Sequence, residues 1–185
     1  MIVLTNDKNN RSALANFLDE YEDALQFIGI AAMVFAILQI IYFQFYVDSA
    51  PFYSYLRFSA ELSTGLLNLI GEEIILAGRT LTSTTGPSVT VVEGCDALRI
   101  YSVLVAAIIA YDSSIKQKVS GILIGVSIMF LLNIVRISLL LWIDIHFTDV
   151  FDLFHHTVLP FGLWLFAMLY FYYWGSNLVP KEQGA

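Results

Sequence analysis

The chain has 185 residues, a formal net charge of −7, 58% hydrophobic residues and only 14% charged residues, and its mean hydropathy is +0.73. An average soluble domain is about 45–50% apolar and about 25% charged, so this composition argues strongly against a water-soluble enzyme. The 15% aromatic content excludes disorder, and the acidic balance argues against a nucleic-acid partner. The length fits one domain, so residues 1–185 are interpreted as a single membrane-embedded unit surrounded by lipid.

A helix needs about 20 mostly apolar residues to cross the hydrocarbon core of a bilayer. Three stretches meet this length clearly: 25–47, 119–143 and 157–175. A fourth, 97–111, reaches spanning length only if its helix starts near Val92 or Glu93, which places Cys95 in its first turns. The sequence therefore predicts an all-α fold, a polytopic helical bundle with four membrane spans.

Residues 55–77 are ambiguous, because they are partly apolar but also carry several polar side chains: Arg57, Glu61, Asn68, Glu72 and Glu73. This polarity is typical of an amphipathic helix that lies on the membrane or packs inside the bundle, and a fifth span is the alternative. A Thr/Ser-rich segment follows with a turn at Gly86-Pro87, and residues 88–92 are predicted to form a short extended strand.

The four lysines indicate the orientation, since they lie on the N-terminal tail, the 112–118 loop and the C-terminal tail. With four spans, and with residues 55–77 not crossing, these three segments share one side of the membrane. The positive-inside rule makes that side cytoplasmic. We therefore expect a multi-pass protein of the cell (inner, cytoplasmic) membrane.

Reactive and charged side chains from three distant segments are predicted to lie at one membrane depth. Cys95 lies at the outer start of the shorter span. Arg136 lies seventeen residues beyond Val119, about 25 Å along a core about 30 Å thick. His155 and His156 immediately precede the last span on the outer side. A thiol, a guanidinium and an imidazole therefore approach one another near the outer face.

This combination fits nucleophilic acyl transfer. A cysteine attacks as its thiolate, and a helix N-terminus, an imidazolium or a guanidinium each favours that form. A histidine acts first as base and then as acid, while an arginine binds a developing oxyanion or a substrate carboxylate. The candidate catalytic residues are Cys95, Arg136 and either His155 or His156, with Glu93 and Asn133 as supporting residues.

Simpler interpretations stay open for these residues. A free cysteine is often a small buried hydrophobe, and Arg136 can snorkel to the interface from a structural position. Glu93 either orients the histidine or lies in solvent. Arg99 is interpreted as a structural partner of Asp96 on its own helix, and Asn133 as a hydrogen-bonding group within the bundle.

No metal and no cofactor is expected, because one cysteine beside two adjacent histidines lacks the four-ligand spacing of a zinc site. Two other functions remain compatible with the residues. One is a non-catalytic membrane subunit that assists export or assembly. The other is a small transporter that uses Arg136 as an anion site, although these spans carry few polar groups at mid-membrane.

Three short motifs follow one another within residues 88–174: E-G-C at 93–95, N-I-V-R-I at 133–137 and F-H-H at 154–156. Together, in this order and topology, they resemble the exosortase/archaeosortase family, and the chain is similar to its compact members. The resemblance implies a polytopic membrane protein with a Cys–Arg–His active site on the side facing the periplasm or cell exterior.

Carried over motif by motif, the resemblance implies that Cys95 is the nucleophile, Arg136 the second member and a histidine the third. The family histidine often stands several residues before a proline or glycine, which favours His155, five residues before Pro160. The resemblance also implies a cysteine-dependent peptidase or transpeptidase. Its partners would be exported proteins with a C-terminal transmembrane sorting signal. Whether the outcome is transfer or hydrolysis stays open.

Overall fold

The structure is a computed structural model that describes residues 21–178, so the tails carrying Lys8 and Lys181 lie outside the described residues. It contains five helices and three strands: α1 Glu22–Ile41, α2 Ala50–Leu69, β1 Ile74–Ala77, β2 Thr80–Ser83, β3 Ser88–Thr90, α3 Leu98–Ala110, α4 Ile115–His146 and α5 Leu159–Tyr173. Shorter helical pieces extend these elements: π-helical Tyr42–Tyr46, Phe154–Val158 and Trp174–Leu178, 3-10-helical Thr148–Val150 and the single α-turn Phe151–Leu153.

Within residues 21–178, three helical stretches are long and apolar enough to cross a membrane: Glu22–Tyr46, Ile115–His146 and Thr148–Asn177. They confirm the spans predicted at 25–47, 119–143 and 157–175, and with them the helical membrane-protein fold. The prediction of four full spans was too high. Helix α3 has 13 residues, which is about 20 Å at 1.5 Å per residue, while the hydrocarbon core is about 30 Å thick.

Helix α3 is short because the chain before it cannot be helical. Gly94 has φ 89° and Ala97 has φ 57°, both in the left-handed region that interrupts a right-handed helix. The expected helix start near Val92 is therefore wrong, and Cys95 lies in a loop three residues before Leu98. The thiol consequently sits on irregular backbone held between β3 and α3.

The ambiguous segment 55–77 divides into α2 and β1. Helix α2 begins where the Ser49 hydroxyl accepts a hydrogen bond from the Phe52 N–H at 3.3 Å. One face of α2 is buried and the opposite face carries an exposed Arg57–Glu61 ion pair at 2.9 Å. This supports the amphipathic interpretation, and α2 is not among the helices apolar enough to span.

A three-stranded antiparallel sheet in the order β1-β2-β3 follows α2, with Ile74 opposite Ser83 and Thr80 opposite Thr90. The strand predicted at 88–92 is confirmed by β3, which follows the turn at Gly86-Pro87. Strands β1 and β2 were not predicted, because four-residue strands give little periodicity to detect.

Two apolar cores lie on either side of the Cys95 loop. The first belongs to a region we call the crown, residues 50–91 with 137–146 of α4, and includes Leu56, Leu67, Leu81, Val91 and Leu141. The second belongs to the bundle, formed by α1, α3, α5 and residues 115–136 of α4, and includes Leu104, Ile108, Met129, Leu163 and Trp174. Cys95 packs against the first core, Ala97 belongs to the second and Leu98 contacts both.

Within the bundle, two glycines of α4 allow α5 to approach closely. A Cβ atom at Gly121 would lie 2.3 Å from Nε1 of Trp174, and one at Gly125 would lie 2.5 Å from Cε1 of Tyr170. The Tyr170 hydroxyl also donates to the Gly121 carbonyl at 2.6 Å. Small residues four apart are the usual means of close helix packing in membranes, and here they fix α5 against α4.

Candidate active site

The Cys95 loop connects β3 to α3, and the thiol is half-buried. The loop turns where the Cys95 N–H donates to the Val92 carbonyl at 3.0 Å. The Cys95 carbonyl accepts a hydrogen bond from Nδ2 of Asn133 on α4 at 2.9 Å. Asn133 therefore attaches the backbone of the cysteine directly to the helix that carries Arg136.

Arg136 is only 9% exposed. Its Nη1 donates to Oδ1 of Asn133 at 3.4 Å, whereas its buried Nε makes no hydrogen bond to any residue between 21 and 178. The guanidinium is close enough to Cys95 and Asp96 to interact electrostatically with both. Cys95, Asn133 and Arg136, which the sequence analysis selected separately, thus occupy one site.

His155 is half-buried and His156 is exposed. The His155 ring lies 4.5 Å from the His156 ring and 5.5 Å from the Phe151 ring, centroid to centroid. His155 also interacts electrostatically with Arg136, and this interaction joins a third segment of the chain to the site. Arg136 therefore interacts with both Cys95 and His155, whereas His156 is exposed.

The two histidines were expected immediately before the last span, and this placement was wrong. They lie inside the helical stretch Thr148–Asn177, in the π-helical turn Phe154–Val158. Pro160 explains the wider turn, because a proline has no N–H and its ring meets the carbonyl four residues earlier, here that of His156. Single π-turns of this kind are frequent at functional sites.

Glu93 and Arg99 pair with each other across the loop, with Nη2 of Arg99 3.3 Å from Oε1 of Glu93. Both side chains are about half exposed, 41% for Glu93 and 54% for Arg99. The expected pairing of Arg99 with Asp96 was therefore wrong, because Asp96 points into the protein. Glu93 is accordingly directed towards Arg99.

Asp96 is the residue that the sequence analysis missed as part of the site. It is 1% exposed, and its carboxylate accepts hydrogen bonds from the Tyr42 hydroxyl and from the Leu98 N–H, the latter at 3.1 Å. Its backbone carbonyl accepts from the Tyr55 hydroxyl at 2.8 Å. Burial is the largest of the effects that raise the pKa of Tyr55 to about 12, so this hydroxyl stays protonated and donates at neutral pH.

A cavity of about 270 Å³ opens beside the site, and its lining includes Gly94, Asp96, Arg99, Arg136, Pro160 and Trp164. Its walls come from the Cys95 loop, from α4 and from the start of α5. Arg136 therefore lines the cavity and also interacts electrostatically with Cys95. Among residues 21–178, no three His, Cys, Asp or Glu side chains form a group suited to a metal ion.

The fold is that of a multi-pass helical membrane protein, in which Asn133 links the Cys95 loop to Arg136 at one end of the bundle. A family model described as transmembrane exosortase matches residues 24–175, well over half of the chain. The chain therefore belongs to the transmembrane exosortase family, which confirms the resemblance found in the three motifs. Comparison with curated proteins and with solved structures found no match.

Proposed function

We propose that this exosortase is a cysteine-dependent peptidase or transpeptidase that cuts C-terminal sorting signals from exported proteins on the extracytoplasmic side of the cell membrane. The observation that carries the proposal is the position of Arg136, which lines the cavity and interacts electrostatically with both Cys95 and His155. The three residues come from three segments that are far apart in the chain. Reactive or ionisable side chains in membrane segments are rare, and their grouping indicates function.

In the first step, His155 accepts the proton of the Cys95 thiol, and the neighbouring Arg136 favours the resulting thiolate. The sulfur then attacks a peptide carbonyl carbon of the substrate, a C–S bond forms and the carbonyl oxygen becomes an oxyanion. Arg136 is suited to bind this oxyanion, since its Nε is buried without a hydrogen bond among the described residues. A donor fixed in advance contributes about 2.7–4 kcal/mol in other acyl-transfer enzymes.

In the second step, the C–N bond breaks and His155 returns the proton to the leaving amine. The leaving group is the C-terminal signal helix, and the exported protein remains attached to Cys95 as a thioester. Either water or an acceptor nucleophile then attacks the thioester and releases the thiol. The same three residues serve both outcomes, so the proposal covers hydrolysis and transfer alike.

The proposed orientation follows from the basic residues at the end of the bundle opposite the candidate site. Lys116 and Lys118 lie at the start of α4, where Nζ of Lys118 donates to the Ile109 carbonyl at 2.7 Å. Cys95 lies just before the other end of α3, and Arg136 lies towards the far end of α4. Under the predicted topology the tails add Lys8, Arg11 and Lys181 to this end, against Arg57, Arg79 and Arg99 near the site. The positive-inside rule, which counts Lys and Arg together, then assigns the lysine end to the cytoplasm and directs the site to the periplasm or exterior.

The test measures the C-terminal mass of an exported protein that carries a sorting signal and is produced together with this chain. We expect Cys95→Ala to leave the signal helix attached, and His155→Ala to reduce processing far more than His156→Ala. Arg57→Gln, on the exposed face of α2, serves as the control and should process normally. Normal processing by Cys95→Ala at wild-type protein level would refute the enzyme and favour a non-catalytic subunit.

A further inference from the structure

The backbone that carries Cys95 is held in a conformation that it would not adopt alone. Ala97 has φ 57°, which is unfavourable for a residue with a Cβ atom. Such residues persist only where the surrounding structure fixes them, and they cluster at functional sites. The contacts that fix this loop are therefore part of how the site is made.

Three helices hold the loop through hydrogen bonds. Asn133 of α4 binds the Cys95 carbonyl, Tyr55 of α2 binds the Asp96 carbonyl, and Tyr42, at the end of α1, binds the Asp96 carboxylate. The second carboxylate oxygen accepts the Leu98 N–H at the start of α3. Asp96 thus connects the loop to two helices through its side chain and to a third through its backbone.

Tyr42 is the point where the first span joins the site. Helix α1 has no buried residue of its own, whereas Tyr42, the first residue after it, is 5% exposed. Its ring packs edge-on against Phe52 of α2 at 6.0 Å. The hydroxyl therefore reaches a carboxylate in a site shielded from water, where a hydrogen bond to a charged group is stronger than a neutral one.

Arg136 has two possible anionic partners, since it interacts electrostatically with both Cys95 and Asp96. Arg99–Glu93 and Arg57–Glu61 form ion pairs within residues 21–178, but Arg136 and Asp96 do not. The two carboxylate oxygens are instead engaged by Tyr42 and by the Leu98 N–H. This arrangement leaves the guanidinium available to the thiolate.

We propose that Tyr42 and Asp96 are positioning residues, in which the Tyr42 hydroxyl holds the Asp96 carboxylate away from Arg136 so that Arg136 pairs with Cys95. The inference rests on the proposed function, because it assigns these two residues a role at the same site. Without the hydroxyl, the carboxylate turns towards Arg136 and competes with the thiolate. Tyr42 acts through Asp96 and needs no contact with substrate.

The test uses iodoacetamide on the full-length protein in lipid nanodiscs, with mass spectrometry as the readout. The sulfur of Cys95 forms a bond to the reagent carbon as iodide leaves, and only one cysteine is present to react. We expect Tyr42→Phe to slow this reaction about tenfold at neutral pH. Tyr170→Phe, which loses a hydroxyl bonded at the other end of α4, is the matched control and should react at the wild-type rate.

The decisive variant is the double change Tyr42→Phe with Asp96→Asn. An amide does not compete for Arg136 as an anion, so the second change should restore the rate that the first one lowered. A merely structural role for Tyr42 gives no such recovery. An unchanged or faster rate in Tyr42→Phe, or a slow rate that Asp96→Asn does not restore, would overturn the inference.

Two further variants keep the result interpretable. Asp96→Asn alone leaves Tyr42 intact and should react at least as fast as wild type, so a slower reaction contradicts the inference even if Tyr42→Phe does not fold. Arg136→Gln tests the proposed function itself, because the thiolate should lose its partner and react more slowly. A wild-type reaction rate in Arg136→Gln would contradict the Cys–Arg pairing. A slow rate in Arg136→Gln together with a wild-type rate in Tyr42→Phe would contradict only the proposed role of Tyr42.

Discussion

The crown and the bundle are held together in different ways. In the crown, strands pack against α2, and buried hydroxyls bond across to the neighbouring helix, as in Ser63 to the Ile134 carbonyl at 3.4 Å and Ser138 to the Ser63 carbonyl at 3.3 Å. In the bundle, Gly121 and Gly125 leave room for large aromatic rings to pack closely against α4. Lipid tails are as apolar as the helices, so helices in a membrane associate mainly through such close fit. The candidate site lies where these two kinds of packing meet.

The largest expected effect comes from breaking the site itself. Cys95→Ala should lower processing on the order of 10³-fold or more, and adding Arg136→Ala should cost little further, because residues that act as one unit are strongly non-additive. The double variant is compared with both single variants by the C-terminal mass of the substrate. Losses that simply multiply would contradict a single catalytic unit.

The two ends of α4 should differ completely in their access from outside the cell. In a Cys95→Ser background, Thr148→Cys near the crown should react with a membrane-impermeant maleimide on intact cells, and Ser114→Cys at the lysine end should not. Lysed cells provide the control, since both positions should then react. Equal labelling of intact cells at both sites would reverse or abolish the proposed orientation.

Packing in the bundle is tested at its glycines. Gly121→Ala should lower the free energy of unfolding by about 1–3 kcal/mol, since the added Cβ atom meets the Trp174 ring. Gly65→Ala in α2 is the matched control, because nothing lies within 4 Å of the Cβ position there. Thermal unfolding in nanodiscs measures both. Equal stability of the two variants would show that α5 does not depend on this close contact.

The smallest effect concerns alkaline pH and the crown. The pKa of Tyr55 is about 12 in the folded protein, raised chiefly by burial from an ordinary value near 10. The folded state therefore binds this proton more tightly than the unfolded state, and stability falls as pH rises from about 10 to about 12. Tyr55→Phe should show a shallower loss over this interval, and an identical slope would contradict the assigned burial.

The sequence predicts the spans and the catalytic candidates for one reason. Long apolar stretches are visible in composition, and a cysteine, an arginine or a histidine beside such a stretch is rare enough to select. Local geometry was harder to predict. The short α3 depends on left-handed backbone at Ala97, and the placement of the histidines depends on a π-turn before Pro160. Neither feature leaves a periodic pattern in the residues.

The hydrogen bond between Tyr42 and Asp96 was not predictable from the sequence. Tyr42 and Asp96 are 54 residues apart, and a tyrosine near the end of a span usually indicates only the membrane interface. Arg99 was assigned to Asp96 because both were expected on one helix. Because Asp96 points inward to Tyr42, Arg99 forms its ion pair with Glu93 instead. One tertiary hydrogen bond therefore accounts for both the missed residue and the wrong pair.

The length of helix α4 sets the distance between the contact with α5 and the candidate site. This continuous helix of 32 residues carries both Gly121, which packs against α5, and Arg136, which lies in the candidate site. Their separation is about 22 Å at 1.5 Å per residue, and each residue turns the helix by about 100°. One residue inserted between Gly125 and Asn133 would rotate Arg136 away from the thiol. Seven would restore its direction but move Arg136 about 10 Å along the helix axis, away from Cys95, whose depth is set by α3 and the loop before it. The candidate site therefore depends on a match between the lengths of two helices.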